Sequence, residues 1–146
     1  MASNNIPKDF ELLSIDIDSY DCDVWESLSN YRPKVVIIEI NSNVPPGIHW
    51  RHSDKTQGNS FSSTLKVGIN KGYKLVCHTG NLIFVRSDLI AKLDFPNRYI
   101  EYPELLFING WLSKGLFEPS KFSLLKAITP KPLRPIAIKL KNLLKK

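Results

Sequence analysis

"LLSIDIDSYDCDVWESLSNYRPKVVIIEIN" (residues 12–41) decides how this chain is read. Its start belongs to "FELLSIDI" (10–17), a short apolar run of the kind that forms a buried strand. "DCDVWESLSNY" (21–31) sets Val24, Trp25 and Leu28 at helical spacing, with acids in the first turn, where the helix dipole favours them. "YRPK" ends that helix, because a residue before proline is pushed out of helical geometry. "KVVIIEIN" (34–41) is β-branched and apolar on both faces, as a central parallel strand would be. Strand, helix and strand in so short a span predict a right-handed βαβ unit.

Outward from this unit, "SNVPPGIHWRHSDKTQGNS" (42–60) is a long polar loop, of a length that in compact domains is functional or unstructured. "SFSSTLKVGINKG" (60–72) predicts a helix with Leu65 and Ile69 inward and Gly72 as its C-terminal cap. Gly68 inside it costs about 1 kcal/mol against alanine. "YKLVCH" (73–78) and "NLIFVRS" (81–87) read as strands joined through "TGN", far too short for a parallel crossover, so they form an antiparallel hairpin. Residues 1–90 thus make one α/β domain. Residues 91–129 read as an irregular or helical extension in which 104–117 forms a short helix or a loop packed on the sheet. "PKPLRP" (130–135) is a linker and "IAIKLKNLLKK" (136–146) a basic amphipathic helix.

The bulk properties exclude several classes. A chain of 146 residues can bury one core, and no apolar run approaches the ~20 residues that span a bilayer. The N-terminus lacks the charged-then-apolar pattern of a signal peptide. Cys22 and Cys77 form neither a CxxC nor a zinc spacing, so reduced thiols and a cytoplasmic location are expected. Net charge is +6, but the eight Lys/Arg from Lys121 onward, with no acid among them, account for all of it. The body before them is slightly acidic, which argues against a nucleic-acid partner. The 136–146 tail has two readings. It lies on an anionic membrane surface as a peripheral anchor, or its Ile136, Leu140, Leu143 and Leu144 stripe docks on the protein's own body.

The order of elements resembles the C-terminal half of a class I, Rossmann-like, S-adenosylmethionine-dependent methyltransferase, whose last strand runs antiparallel to the rest. The wording resembles the FkbM-type branch in three blocks: "LLSIDIDSYD" (12–21), "VVIIEIN" (35–41) and "SFSSTLKVGINKGYKLVCHTGNLIFVRSDL" (60–89). Two departures stand out. Ser19 occupies the position where that family has glycine, and no glycine-rich cofactor loop occurs anywhere in the chain. The resemblance implies a partial methyltransferase sheet, two parallel strands plus an antiparallel hairpin, with a basic helical tail. It implies a parent activity of O-methyl transfer to a sugar or similar small-molecule or glycan substrate. S-adenosylmethionine itself is not expected to bind this chain alone. The apolar strand at 10–17 would have an open edge, which predicts a homo-oligomer or pairing with a missing N-terminal half. The rival to the enzyme is a non-catalytic interaction module that uses this edge.

Four aspartates, Asp16, Asp18, Asp21 and Asp23, crowd the first strand's end, where like charges repel. Ligands of open α/β sheets bind beyond such carboxyl ends. Asp16 and Asp18 face the same way and offer hard oxygens to Mg²⁺; some methyltransferases resembling this fold use a metal there. In the plainer reading Asp18 is a helix N-cap, Asp21 takes a capping-box-like role and Asp23 is solvated. Asp16 fits that reading least and is the leading functional candidate. Glu39 interrupts an apolar run and joins Asp16 in a metal or general-base site, or else bonds a loop backbone or Arg51. Asn41 binds substrate or starts the loop. His49, Trp50, Arg51 and His52 are substrate-loop candidates, or solvated; a zinc site lacks a third ligand. His78, in a strand, reads as structural.

Overall fold

A computed structural model describes residues 5–53 and 55–108, and the expected linker and basic helix at 130–146 lie outside the described residues. The predicted order is present. Strand β1 (Leu12–Ile15) leads to α1 (Asp21–Ser27), β2 (Val35–Glu39), α2 (Phe61–Asn70), β3 (Tyr73–His78) and β4 (Asn81–Arg86). A 3-10 turn (Ser87–Lys92), a short α3 (Asn97–Glu101) and a second 3-10 turn (Pro103–Leu106) complete the described chain. The sheet is open and mixed, in the order β1-β2-β4-β3. β1 pairs parallel with β2, Leu12 facing Val35, while β4 runs antiparallel to both β2 and β3. β4 is thus the one reversed strand of the four. The strands at 10–17 and 34–41 are each shorter than the apolar runs suggest, since pairing stops where the aspartates and the long loop begin.

Side chains alternate across the sheet. On one face Ile15, Val36, Ile38, Leu82, Phe84, Tyr73 and Leu75 are buried beneath α1 and α2. Trp25 of α1 is fully buried at the centre, its ring tilted or edge-on against Tyr73 (5.5 Å) and Phe84 (5.1 Å). On the other face Val35, Ile37 and Ile83 are only half-buried and Leu12 is 53% exposed. β2 is central as expected, lying between β1 and β4, but it is parallel only to β1, and among the described residues both crossing helices share one face.

Ser60 caps α2, its hydroxyl accepting the Ser63 N–H at 3.2 Å. Gly72, at φ +83°, closes the other end, and its N–H reaches the Ile69 carbonyl. That left-handed geometry suits glycine and bears out its role as a cap. Gly68 has a packing reason. A Cβ there would stand 2.4 Å from Cε1 of Phe84, so only glycine lets the helix come this close to β4. Ile69 and Val24 do not point inward as expected; they are 50% and 45% exposed. Each sits at the border of its helix's apolar stripe, where spacing alone cannot separate inside from outside. Residues 97–107 pack on β3 and α2, with Phe107 edge-on to Phe61 at 5.3 Å. No helix among the described residues is long and apolar enough to cross a membrane.

Candidate functional site

β1 and β2 are parallel, so both end at the same sheet margin. Continuing their register past Ile15–Ile38 sets Asp16 beside Glu39, both on the face opposite the core. The chain then turns sharply. Asp18 takes φ 64°, the left-handed region that a non-glycine residue enters at a cost, though aspartate tolerates it better than most. This turn brings the Asp18 carboxylate back to the other two. One oxygen each from Asp16, Asp18 and Glu39 lies within 4.8 Å of the others. That limit matches the widest span of two ligands on one hard cation, about 4–5 Å at metal–oxygen distances of roughly 2.1–2.5 Å. The donor set therefore fits Mg²⁺ or Ca²⁺, with water completing the shell.

Asp21 makes the turn possible. It is 1% exposed, and its two carboxylate oxygens accept the N–H groups of Ile17 (3.0 Å) and Ser19 (3.1 Å). This is not the expected capping-box contact, because Asp21 opens the helix and grips the turn before it rather than the N-cap N–H. The companion expectation, Asp18 as N-cap, is overturned. The residue before α1 is Tyr20, without a side-chain cap, and Asp18 is spent on the left-handed turn. Positive φ falls on Asp18, one residue ahead of the Ser19 position where glycine was sought.

A crevice of about 270 Å³ opens beside the carboxylates, lined by Asp18, Asp21, Glu39, Asn41, Ser42 and Gln57 among others. Among the described residues lining it there is no Lys, Arg or His. Glu39 bears the consequence. Burial first, then the charges of Asp16, Asp21 and Asp18, raise its carboxyl above the ordinary value, while a hydrogen bond from the Asp18 backbone opposes them. A carboxylate crowded in this way gains from a cation or from a proton.

The other candidates disperse. Both ends of the Asn41 amide are used within the loop: Nδ2 donates to the Gln57 carbonyl (3.1 Å) and Oδ1 accepts the Asn43 N–H (3.1 Å). Asn41 thus shapes the crevice wall. Arg51 does not pair with Glu39; it bridges Asp23 (2.9 Å) and Glu26 (2.8 Å) on α1, so Asp23 is not simply solvated. His52 sets its ring edge against Tyr20 at 4.5 Å. His49 is exposed and lines a separate hollow with Leu65 and Lys66 of α2, while the indole N–H of Trp50 is buried without a partner among the described residues. "HWRH" is therefore not one binding group, because each residue of this loop answers to a different neighbour. Ser42 and Gln57 were not anticipated as crevice residues; only their nearness to Glu39 in a loop returning to the sheet end hints at it.

No family model, curated protein or solved structure matches this chain.

Proposed function

We propose that this chain is the acceptor-side half of a Rossmann-like, methyltransferase-type sheet, in which Asp16, Asp18 and Glu39 hold a divalent cation that orients a substrate hydroxyl for O-methyl transfer. The convergence of the three carboxylates at the ends of two parallel strands carries this reading. The reversed last strand, β4, agrees with the resemblance that suggested it. S-adenosylmethionine, when bound, supplies the electrophilic methyl group. No residue of this chain is assigned to its grip, which has to come from elsewhere. The chain's own part is to bind the cation, to present the Gln57 amide to a polyol or sugar, and to take up the acceptor's proton at the Glu39 oxygen that is not on the cation. Calorimetric titration of Mn²⁺ or Mg²⁺ into the chain tests it. One site is expected in the wild type, with the affinity lost in an Asp16→Asn, Glu39→Gln double variant. Equal binding by both proteins would end the cation assignment.

A second reading, an interaction module, rests on a different observation. β1 is an edge strand with no pairing partner on its outer side among the described residues. Beside it an apolar hollow is lined by Ile6, Phe10, Leu13, Leu28 and Tyr31. An unpaired, uncovered edge is the place where a further strand adds.

A further inference from the structure

His78, at the end of β3, is 1% exposed and does not line the acidic crevice. Its two ring nitrogens are both engaged. Nδ1 lies 3.0 Å from the backbone nitrogen of Ile108, which has only a proton to offer, so Nδ1 is the acceptor. The ring proton of the neutral imidazole is therefore on Nε2, 2.9 Å from the Ser42 hydroxyl. Ser42 accepts it and donates its own proton to the Gly80 carbonyl at 3.0 Å. Phe107 stacks on the ring at 4.9 Å and 12°, and Phe61 of α2 meets it edge-on at 6.0 Å. One imidazole thus ties the crevice wall at Ser42, the hairpin turn at Gly80 and the segment 103–108.

We propose that His78 is a proton-operated latch, which holds the segment 103–108 on the body when neutral and releases it when protonated. A second ring proton must go on Nδ1, where it faces the Ile108 N–H, donor against donor. The bond that fixes the segment is then lost, and a cation is left in an apolar pocket. Among the described residues nothing nearby offsets that charge. Ser42 from the loop, the Gly80 carbonyl from the turn, Leu82 from β4, Phe61 from α2, and Phe107 with Ile108 from the segment surround the ring, and no ionised group among the described residues faces it. Burial alone lowers its pKa. Stacking on Phe107 returns part of the loss as a cation–π contact, but that contact does not replace the acceptor. The latch is complete above the ordinary imidazole pKa of about 6.5 and weakens as pH falls from there through the lowered folded value.

Amide exchange and histidine NMR on the whole chain test this. At neutral pH the Nε2–H tautomer should be seen for His78. Below pH about 6.5, the opening of Phe107 and Ile108, corrected for intrinsic exchange, should rise by about tenfold per pH unit until the folded value is passed. His78→Asn retains an acceptor near Nδ1 and cannot titrate, so its exchange at 107–108 should be flat with pH. Nδ1–H at neutral pH, or pH-independent exchange at 107–108 in the wild type, would overturn the proposal. The same acid step surviving in His78→Asn would do so as well. Should that variant fold poorly, the wild type still decides: the His78 titration and the Ile108 shift must share one midpoint.

Discussion

The carboxylates of Asp16 and Glu39 reach one point from two neighbouring parallel strands, their oxygens no more than 4.8 Å apart with Asp18 completing the group. Burial of Glu39, and after it the repulsion among these carboxylates, have a pH signature. The Glu39 pKa is raised in the fold, so its contribution to stability is full below the unfolded value and is lost as pH rises through the folded one. A cation should reverse that loss. Mg²⁺ or Mn²⁺ is expected to raise the melting temperature at pH 7, by about 4–8 °C per kcal/mol of binding linkage, and to do less as pH falls toward the Glu39 value. Without cation, Glu39→Gln should melt higher than the wild type at pH 7. Scanning calorimetry of both proteins at pH 5 and 7, with and without cation, measures each arm. A wild type indifferent to cation at pH 7 would count against the site.

Asp18 sets stability against binding. Replacing it with glycine relieves the positive φ and removes one charge from the cluster, for an expected gain of about 0.5–1 kcal/mol. The same change should weaken cation binding by about tenfold, since affinity follows the number of charged ligands. Urea midpoints together with a Mn²⁺ titration report both. A destabilised Asp18→Gly would show that the turn is not strained.

Gly68→Ala should destabilise the protein by about 1–3 kcal/mol, although alanine is the better helix former. The Phe84 ring that a new Cβ would strike at 2.4 Å is fully buried and has nowhere to go. Combining it with Phe84→Leu should cost less than the sum of the two single changes, which a double-mutant cycle in urea measures. Strict additivity would mean that the helix had shifted instead.

Association through β1 is expected, and its salt dependence identifies the pairing. An antiparallel pair of β1 strands, two-fold between Leu13 and Ser14, would set Asp16 against Glu11 just beyond each strand end. Screening should therefore strengthen self-association, and Leu12→Lys should weaken it. Light scattering at low and high salt measures both. A single-chain mass at high concentration, with full amide protection over 12–15, would refute the open edge.

The elements of the sheet could be read from sequence because each has its own period: 34–41 is a plain apolar run, 60–72 carries a cap at either end, and 79–80 is too short for anything but a hairpin. Strand direction placed Asp16 and Glu39 at the same sheet end, while their register, and the choice against Arg51 as the partner of Glu39, came from the structure. What could not be read depended on contacts between distant segments. Positive φ at Asp18 is imposed by Asp21 gripping the backbone of Ile17 and Ser19, and no local signal marks it. Arg51 found its acids on α1, twenty-five and twenty-eight positions away. Gly68 looked like a defect in a helix until Phe84, on another strand, explained it.

The hairpin β3–β4 has a kinetic consequence. Its strands are joined by only Thr79 and Gly80, whereas Leu12 must find Val35 and Val35 must find Val85, twenty-three and fifty positions apart. Closing the short loop costs least entropy, so the hairpin is the natural nucleus; the β1–β2 pair closes over twenty-three positions, and its docking on β4 across fifty is the costliest step. Substitutions in 73–86 should then slow folding, and those on the β2 side of the β2–β4 seam, the last pairing made, should chiefly speed unfolding. The margin that carries Asp16 and Glu39 belongs on this account to a unit that docks on the hairpin last and lets go first.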